Sequence, residues 1–300
     1  MKVLITGGAG FIGSAVANYF VQNSEVHILD AYNYAADDSR LVDSVVRHIG
    51  DITERIMLKE QFDWIIHMAA ETHVDNSIID PVLFAKTNVI GTVNMLEFAR
   101  SQKDLKGFLY FNTDEVFGPA PGGVLYKEDD RFDPGNPYSA GKAGGSMFVK
   151  AYANTYKLPV IETFTMNAYG PGQHIEKFIP MTIDNVRNGR KVIIHSDPTR
   201  EISGSRFYIH TQDIAEAVYF IINQGVIGKR YNIVGKYETS NLDVAKAIAE
   251  LLDKPLKYEM MDFHSSRPGH DLRYALDGGK LAMLGWEPKI GIMEGIKGLL

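Results

Sequence analysis

Short apolar runs alternate with amphipathic stretches through the first half of the chain. Lys2 to Thr6, Val26 to Leu29, Val46 to Ile49, Trp64 to Met68, Gly107 to Phe111 and Leu158 to Thr165 each read as a strand. Near-continuous apolar runs of this length fit strands covered on both faces, as in a parallel sheet. Between them, Ser14 to about Gln22 and Pro81 to Ser101 carry helical periodicity, and a further helix is expected to start near Thr53. The alternation predicts an α/β fold, a doubly wound parallel sheet. Past residue 170 it loosens. Ile175 to Asn188, Asp213 to Asn223 and Asn241 to Leu252 read as helices, the last capped by Ser240 or Asn241. Val192 to His195 and Tyr231 to Ile233 read as strands, and Arg206 to Ile209 as extended chain. The expected division is a nucleotide-binding domain with the catalytic residues over 1–170, and over 171–300 mainly a smaller substrate-binding lobe, some of whose segments return to the sheet.

The junction of the first strand and first helix holds Gly7-Gly8-Ala9-Gly10-Phe11-Ile12-Gly13. Glycines there permit a tight turn, close approach of backbone to a pyrophosphate, and close helix packing. The helix N-terminus offers free N–H groups and a positive dipole end. The second strand ends in Asp30, placed where an acid holds the adenosine ribose hydroxyls. A carboxylate repels a 2′-phosphate, and no Arg or Lys follows at once, so NAD is expected rather than NADP. Asp51 and Ile52 are expected near adenine, although Asp51 equally fits a helix cap. The small residues Ala69 and Ala70 let a dinucleotide lie against the backbone. His67 sits inside an apolar strand and reads as structural, as do Glu71 and Asp75. His73 is a loop residue. Asn88 is polar within an amphipathic stretch and reads either as an ordinary exposed residue or as a brace behind the site.

Composition narrows the class. The chain has 300 residues, a formal net charge of -6 and no cysteine. No basic block favours nucleic acid. Disulfides and cysteine-held metal sites are excluded, and no metal site is expected. The N-terminal apolar run is too short for a signal peptide, and no stretch reaches the roughly 18 apolar residues of a spanning helix. The expectation is a soluble, cytoplasmic protein with no membrane partner.

The chemistry concentrates after the fifth strand, in Asn112-Thr113-Asp114-Glu115-Val116-Phe117-Gly118. Ligands bind beyond the carboxyl ends of such strands. A hydroxyl and two carboxyls there supply a hydrogen-bond donor, an acid and a base. Alone, Thr-Asp-Glu reads more simply as a helix cap or solvated loop. Tyr138 and Lys142 follow at helical i, i+4 spacing, where an ammonium can favour the phenolate. The intervening Pro119 to Pro137 reads as a loop over the site. Arg206, Asn232 and Arg267 are the polar groups expected to face a diphosphate, each with surface exposure as its plainer reading.

These blocks, with Ala69 to Asp75 and Arg267-Pro268-Gly269-His270-Asp271-Leu272-Arg273-Tyr274-Ala275, resemble the extended short-chain dehydrogenases/reductases, and within them the dTDP-glucose 4,6-dehydratases. The resemblance covers nearly the whole chain and implies a Rossmann sheet with tightly bound NAD. It implies cofactor contacts from Gly7, Gly10, Phe11, Ile12, Gly13, Asp30, Asn33, Asp51, Ile52, Met68, Ala69, Ala70, Thr72, Thr87, Tyr138 and Lys142. It implies substrate contacts from Thr72, Thr113, Asn167, Lys177, Phe178, Ile193, His195, Arg206, Asn232, Arg267 and His270. Tyr138, with Lys142 and Thr113, would oxidise C4 of an NDP-hexose. Glu115 would remove the C5 proton and Asp114 would protonate the departing C6 hydroxyl. The chain departs from the family pattern at Phe117, at Ala168, at Phe207 and in the long segment Asp197 to Ser205, which leaves the nucleotide base open. The family's four-helix-bundle homodimer would use the helices near Val82 to Arg100 and Tyr138 to Tyr156, with Leu96, Phe98, Met147, Phe148 and Tyr152 at the interface or in the intrachain core. An NDP-sugar 4-epimerase, a UDP-glucuronate decarboxylase and a catalytically idle NAD-binding sensor or scaffold are the alternatives.

Overall fold

A computed structural model describes residues 1–263 and 271–300. At its centre lies a seven-stranded sheet. Its strands are β1 (Lys2–Thr6), β2 (Glu25–Asp30), β3 (Val46–Ile49), β4 (Trp64–His67), β5 (Gly107–Thr113), β6 (Val160–Thr165) and β11 (Arg230–Ile233). Their spatial order is 3-2-1-4-5-6-11, and every pairing is parallel. This is the doubly wound arrangement read from the alternating pattern. β1, β4, β5 and β6 are buried almost throughout, which is why they carry continuous apolar runs rather than alternating ones.

Helices cover both faces. Helix α1 (Phe11–Phe20) packs with α7 (Thr211–Gln224) on one side; Val16, Ala17 and Phe20 meet Ile214, Val218 and Ile221 in one core cluster. On the other lie α4 (Thr92–Ser101) and α5 (Pro137–Tyr156), with Leu96, Phe98 and Tyr152 in a second cluster. These three side chains serve the intrachain core, whereas Met147 and Phe148 on α5 are exposed. A third cluster holds the smaller lobe, where α6 (Phe178–Arg187) and α8 (Asn241–Leu251) pack around β8 (Val192–Ser196), which pairs in parallel with β13 (Tyr258–Asp262).

Several expected elements change in the structure. No helix follows β3: Asn94 donates to the carbonyls of Ile52 and Glu54, taking acceptors that a helix from Thr53 would need. The stretch Pro81 to Ser101 is not one regular helix. It runs from α3 (Pro81–Ala85) through a wide π turn (Lys86–Gly91) into α4. The turn carries Asn88 inward and fully buries it. The segment Pro119 to Gly135 is irregular as expected but does not cover the cavity described below. It is tied to the opposite flank by Ala120 N–H to Arg273 O and Tyr126 N–H to Ala275 O. The long segment after β8 folds on Asp197, whose carboxylate accepts from the N–H groups of Glu201 and Ile202 and from the Thr199 hydroxyl. No helix among the described residues is long and apolar enough to cross a membrane.

Candidate active site

The carboxyl ends of β1, β2, β4, β5 and β6 open into one cavity of about 700 Å³. Its first wall is backbone. Gly7 has a left-handed φ of +69°, and a Cβ there would lie 2.8 Å from Ala69 Cα. A Cβ on Gly13 would lie 2.1 Å from Gly7 O, so the first turn of α1 can sit against the glycine loop only without a side chain. Asp30 ends β2, accepting from Ala9 N–H and Tyr32 N–H at 2.9 Å each. Asn33, Asp51 and Ile52 continue this wall, with Met68, Ala69, Ala70, Thr72 and Thr87 beyond them.

A buried relay fixes that backbone from behind. Thr6 Oγ1 accepts from the N–H groups of Met68 and Ala69 at 3.1 Å, so its own proton goes to His67 Nδ1 at 2.8 Å. His67 Nε2–H then donates to Thr92 Oγ1, and the Thr92 hydroxyl donates to the Asn88 carbonyl. Burial holds His67 neutral, with its pKa pushed down to about 3. The Asn88 side chain pairs with both the N–H and the carbonyl of Glu71 at 2.9 Å. Asn88 is thus the brace, and His67 is structural.

The second wall carries Thr113, Asp114, Glu115, Tyr138 and Lys142. Thr113 ends β5 and caps the 3₁₀ turn Asp114–Phe117. Its hydroxyl donates to Asp114 Oδ1 at 3.0 Å. Asp114 is buried, its Oδ2 has no hydrogen-bond partner among the described residues, and burial followed by the Glu115 charge pushes its pKa up to about 7. Burial also raises Glu115, against the hydrogen bond from Asn136 Nδ2 at 3.2 Å and the positive charges of Arg206 and Lys177. Two adjacent carboxyls of unequal environment suit one acid and one base. Tyr138 and Lys142 lie one turn apart on α5 and reach the same cavity. The ammonium does not lower the phenol here. Lys142 Nζ donates to Phe111 O at 2.8 Å and lies 4.3 Å from the Tyr110 ring centre. Burial and the Glu115 charge raise Tyr138, and the Thr113 hydrogen bond opposes them.

Of the residues expected to hold substrate, Thr72, Thr113, Asn167 and Lys177 line the cavity; Phe178, Ile193, His195, Arg206 and Asn232 do not. Phe178 opens α6 and packs on the smaller lobe's core. Ile193 and His195 lie half-buried on β8, the latter against Phe263. Arg206 donates to the carbonyls of Ser205, Asp271 and Leu272 and lies 4.7 Å from the Tyr274 ring centre. Its charge still acts on both carboxyls. Asn232 is fully buried on β11, and its amide donates to Tyr126 O and Asp277 O at 3.0 Å. It ties together the loops beside β11, an edge strand of the sheet, and does not face the cavity. Arg267 and His270 lie outside the described residues. Phe117 packs against Tyr126, Phe132 and Phe164, away from the cavity.

Sequence reasoning missed Asn136, although an Asn-Pro step before a helix is a start signal. Asn136 caps α5 and also holds Glu115. It missed Glu176 as well, which pairs with His73 and His174 and lines the cavity with them.

The protein-family model described as GDP-mannose 4,6 dehydratase matches residues 4–299. The dTDP-glucose 4,6-dehydratase of Haemophilus influenzae is 37% identical over 99% of this chain and 96% of its own length. The crystal structure of a dTDP-glucose 4,6-dehydratase from Streptomyces venezuelae, with NAD bound, superposes with a TM-score of 0.88 at 32% identity, covering 99% of this chain and 95% of that one. A Thermus thermophilus UDP-glucose 4-epimerase in complex with NAD gives 0.89 at 27% identity, covering 99% and 97%. The shared fold spans both enzymes, and the match through the whole chain fixes the relationship: this protein belongs to the GDP-mannose 4,6 dehydratase family.

Proposed function

We infer that this protein is an NAD-dependent sugar-nucleotide 4,6-dehydratase, a hydro-lyase that converts an NDP-hexose such as dTDP-glucose into the NDP-4-keto-6-deoxyhexose. The observation that carries this reading is the buried Asp114 beside Glu115, with Thr113 and Tyr138 on the same cavity. Eliminating water across neighbouring carbons needs an acid and a base. A simple dehydrogenase or an epimerase needs a base for the alcohol proton but no such pair of carboxyls.

The residues present fit NAD. The first turn of α1 presents the N–H groups of Phe11 and Ile12, which have no intrahelical acceptor, and no Cβ obstructs Gly13. Each Asp30 oxygen accepts one backbone N–H and keeps a lone pair for a ribose hydroxyl. Met68 to Ala70, with Thr72 and Thr87, carry the cradle on to Tyr138 and Lys142. Bound there, NAD supplies the acceptor for the C4 hydride and later its donor to C6.

The chain's own groups move the protons. Tyr138, as phenolate, takes the C4 hydroxyl proton. With Asp114 protonated, the Thr113 hydroxyl is released to donate to the phenolate and favours that form, whereas burial and Glu115 oppose it. The C4 ketone acidifies the C5 hydrogen, which Glu115 removes. Asp114 enters protonated and gives its proton to the C6 hydroxyl, which leaves as water. Glu115 then returns a proton to C5. Lys177, Asn167 and Thr72 face the remaining substrate. The same reading divides the chain into a cofactor domain over 1–170 and mainly a substrate lobe over 171–300, and makes it a cytoplasmic homodimer. Exposed Val82, Leu83 and Ile90 beside exposed Met147 and Phe148 support a helix-to-helix contact between two copies.

The test is Glu115→Gln with dTDP-, UDP-, GDP- and CDP-hexoses. The parent protein loses one water from one of these, read by mass spectrometry. The variant loses dehydration by about a thousandfold while hydride transfer from C4 persists. Undiminished water loss in the variant would overturn the assignment of the base. No water loss by the parent would favour the epimerase, the decarboxylase or the idle binder.

A further inference from the structure

Beneath the cavity lies a charged group that the mechanism above leaves unused. Glu162 on β6 is buried to 4% exposure. One carboxylate oxygen accepts from Asn112 Nδ2 at 2.9 Å, and the other from Arg230 Nε on β11, also at 2.9 Å. Asn112 turns its own Oδ1 to the N–H of Thr113 at 2.9 Å. The parallel register sets Glu162 between Tyr110 on β5 and Arg230 on β11. Tyr110 in turn lies under the Lys142 ammonium and donates its hydroxyl proton to the Lys142 carbonyl.

We propose that Glu162 is a positioning residue for the dehydratase reaction: through Asn112 it fixes Thr113, and across Tyr110 it supplies the counter-charge of Lys142, with Arg230 holding it in place. The proposal rests on the function inferred above.

The charge around Lys142 supports it. Burial weakens the ammonium, pushing its pKa down to about 7, and Glu162 is the charge that opposes this. The other titratable groups about Lys142 are His67 on β4, Tyr110 on β5 and Tyr138 on its own helix. Burial keeps His67 neutral and raises both phenols, which leaves Glu162 as the carboxylate among the groups about Lys142. Arg230 is itself shielded, with its guanidinium 5.4 and 5.8 Å from the ring centres of Phe132 and Phe164. Such a pair is costly to bury, and its position in direct line with Thr113 and Lys142 gives it a use that packing alone does not.

Glu162→Gln keeps the shape and removes the charge. Hydride transfer is read in a single turnover by absorbance of the reduced nicotinamide, a step that precedes the use of Asp114. Its alkaline limb is expected to move to lower pH by about one unit or more, with KM changed less than twofold. Independently of turnover, the ¹³Cε resonance of Lys142, identified by its loss in Lys142→Arg, is expected to titrate lower by the same amount. Because Glu162→Gln leaves Arg230 unpaired, Glu162→Gln/Arg230→Gln is made alongside. It should recover thermal stability while the Lys142 titration stays displaced. A Lys142 titration and pH limb unmoved in both variants overturn the proposal. A displaced resonance in a parent protein that turns over no sugar nucleotide would sink the dehydratase reading and leave the charge coupling standing.

Discussion

The two walls of the cavity are built by different means. The cofactor wall is mainly backbone: strand ends, a glycine turn and small residues, in place because any larger group would collide. The wall facing the expected substrate is made of side chains brought from distant segments, and their directions depend on what each finds nearby. All the residues expected to touch the dinucleotide line the cavity, whereas Phe178, Ile193, His195, Arg206 and Asn232 do not. A site specified by exclusion is carried by local sequence. A site specified by long-range partnership is carried by the whole fold.

The strongest way to break this contrast is to put a side chain where exclusion operates. Gly13→Val places a Cβ 2.1 Å from Gly7 O. The strain is on the order of 3 kcal/mol, and NAD should no longer travel with the protein through gel filtration. Retention of NAD would show that the wall yields.

A second test concerns the reactive wall. The folded state holds the Asp114 proton up to about pH 7, and the unfolded chain releases it near the ordinary aspartate value of 3.8. Between those limits the folded state binds more protons, so Asp114 lowers stability as pH rises. Asp114→Asn should flatten that decline, visible as a smaller fall in thermal midpoint from pH 4 to 7, and should cut dehydration about a hundredfold or more. An unchanged slope would place the proton elsewhere. The smallest effect is expected from Asn232→Ala. It leaves the carbonyls of Tyr126 and Asp277 without their donor, costs about 1–3 kcal/mol, and leaves KM for the sugar nucleotide unchanged. A raised KM with unaltered stability would return Asn232 to the substrate wall.

The central sheet was legible because strands buried on both faces must be apolar throughout. The place of Thr113, Asp114 and Glu115 on the cavity was legible because they follow such a strand. The missing helix after β3 was not legible: Thr53 onward is compatible with a helix until Asn94, some forty residues away, takes its carbonyls. Nor was the destination of Arg206, whose donors are consumed by the carbonyls of Asp271 and Leu272 across the smaller lobe. Asn88 carried both readings in the sequence, and only the wide turn decided between them. The Tyr–Lys spacing correctly put both groups on one helical face. It could not reveal that Phe111 O and the Tyr110 ring engage the ammonium.

The last strand of the sheet has a consequence for biosynthesis. β11 pairs with β6 only after the chain has passed through residues 166–229. Until Arg230 leaves the ribosome, β6 is an open edge and Glu162 lacks its cation. Nascent chains halted before that point should therefore bind chaperones and resist refolding in isolation, whereas chains extended past Ile233 close the edge.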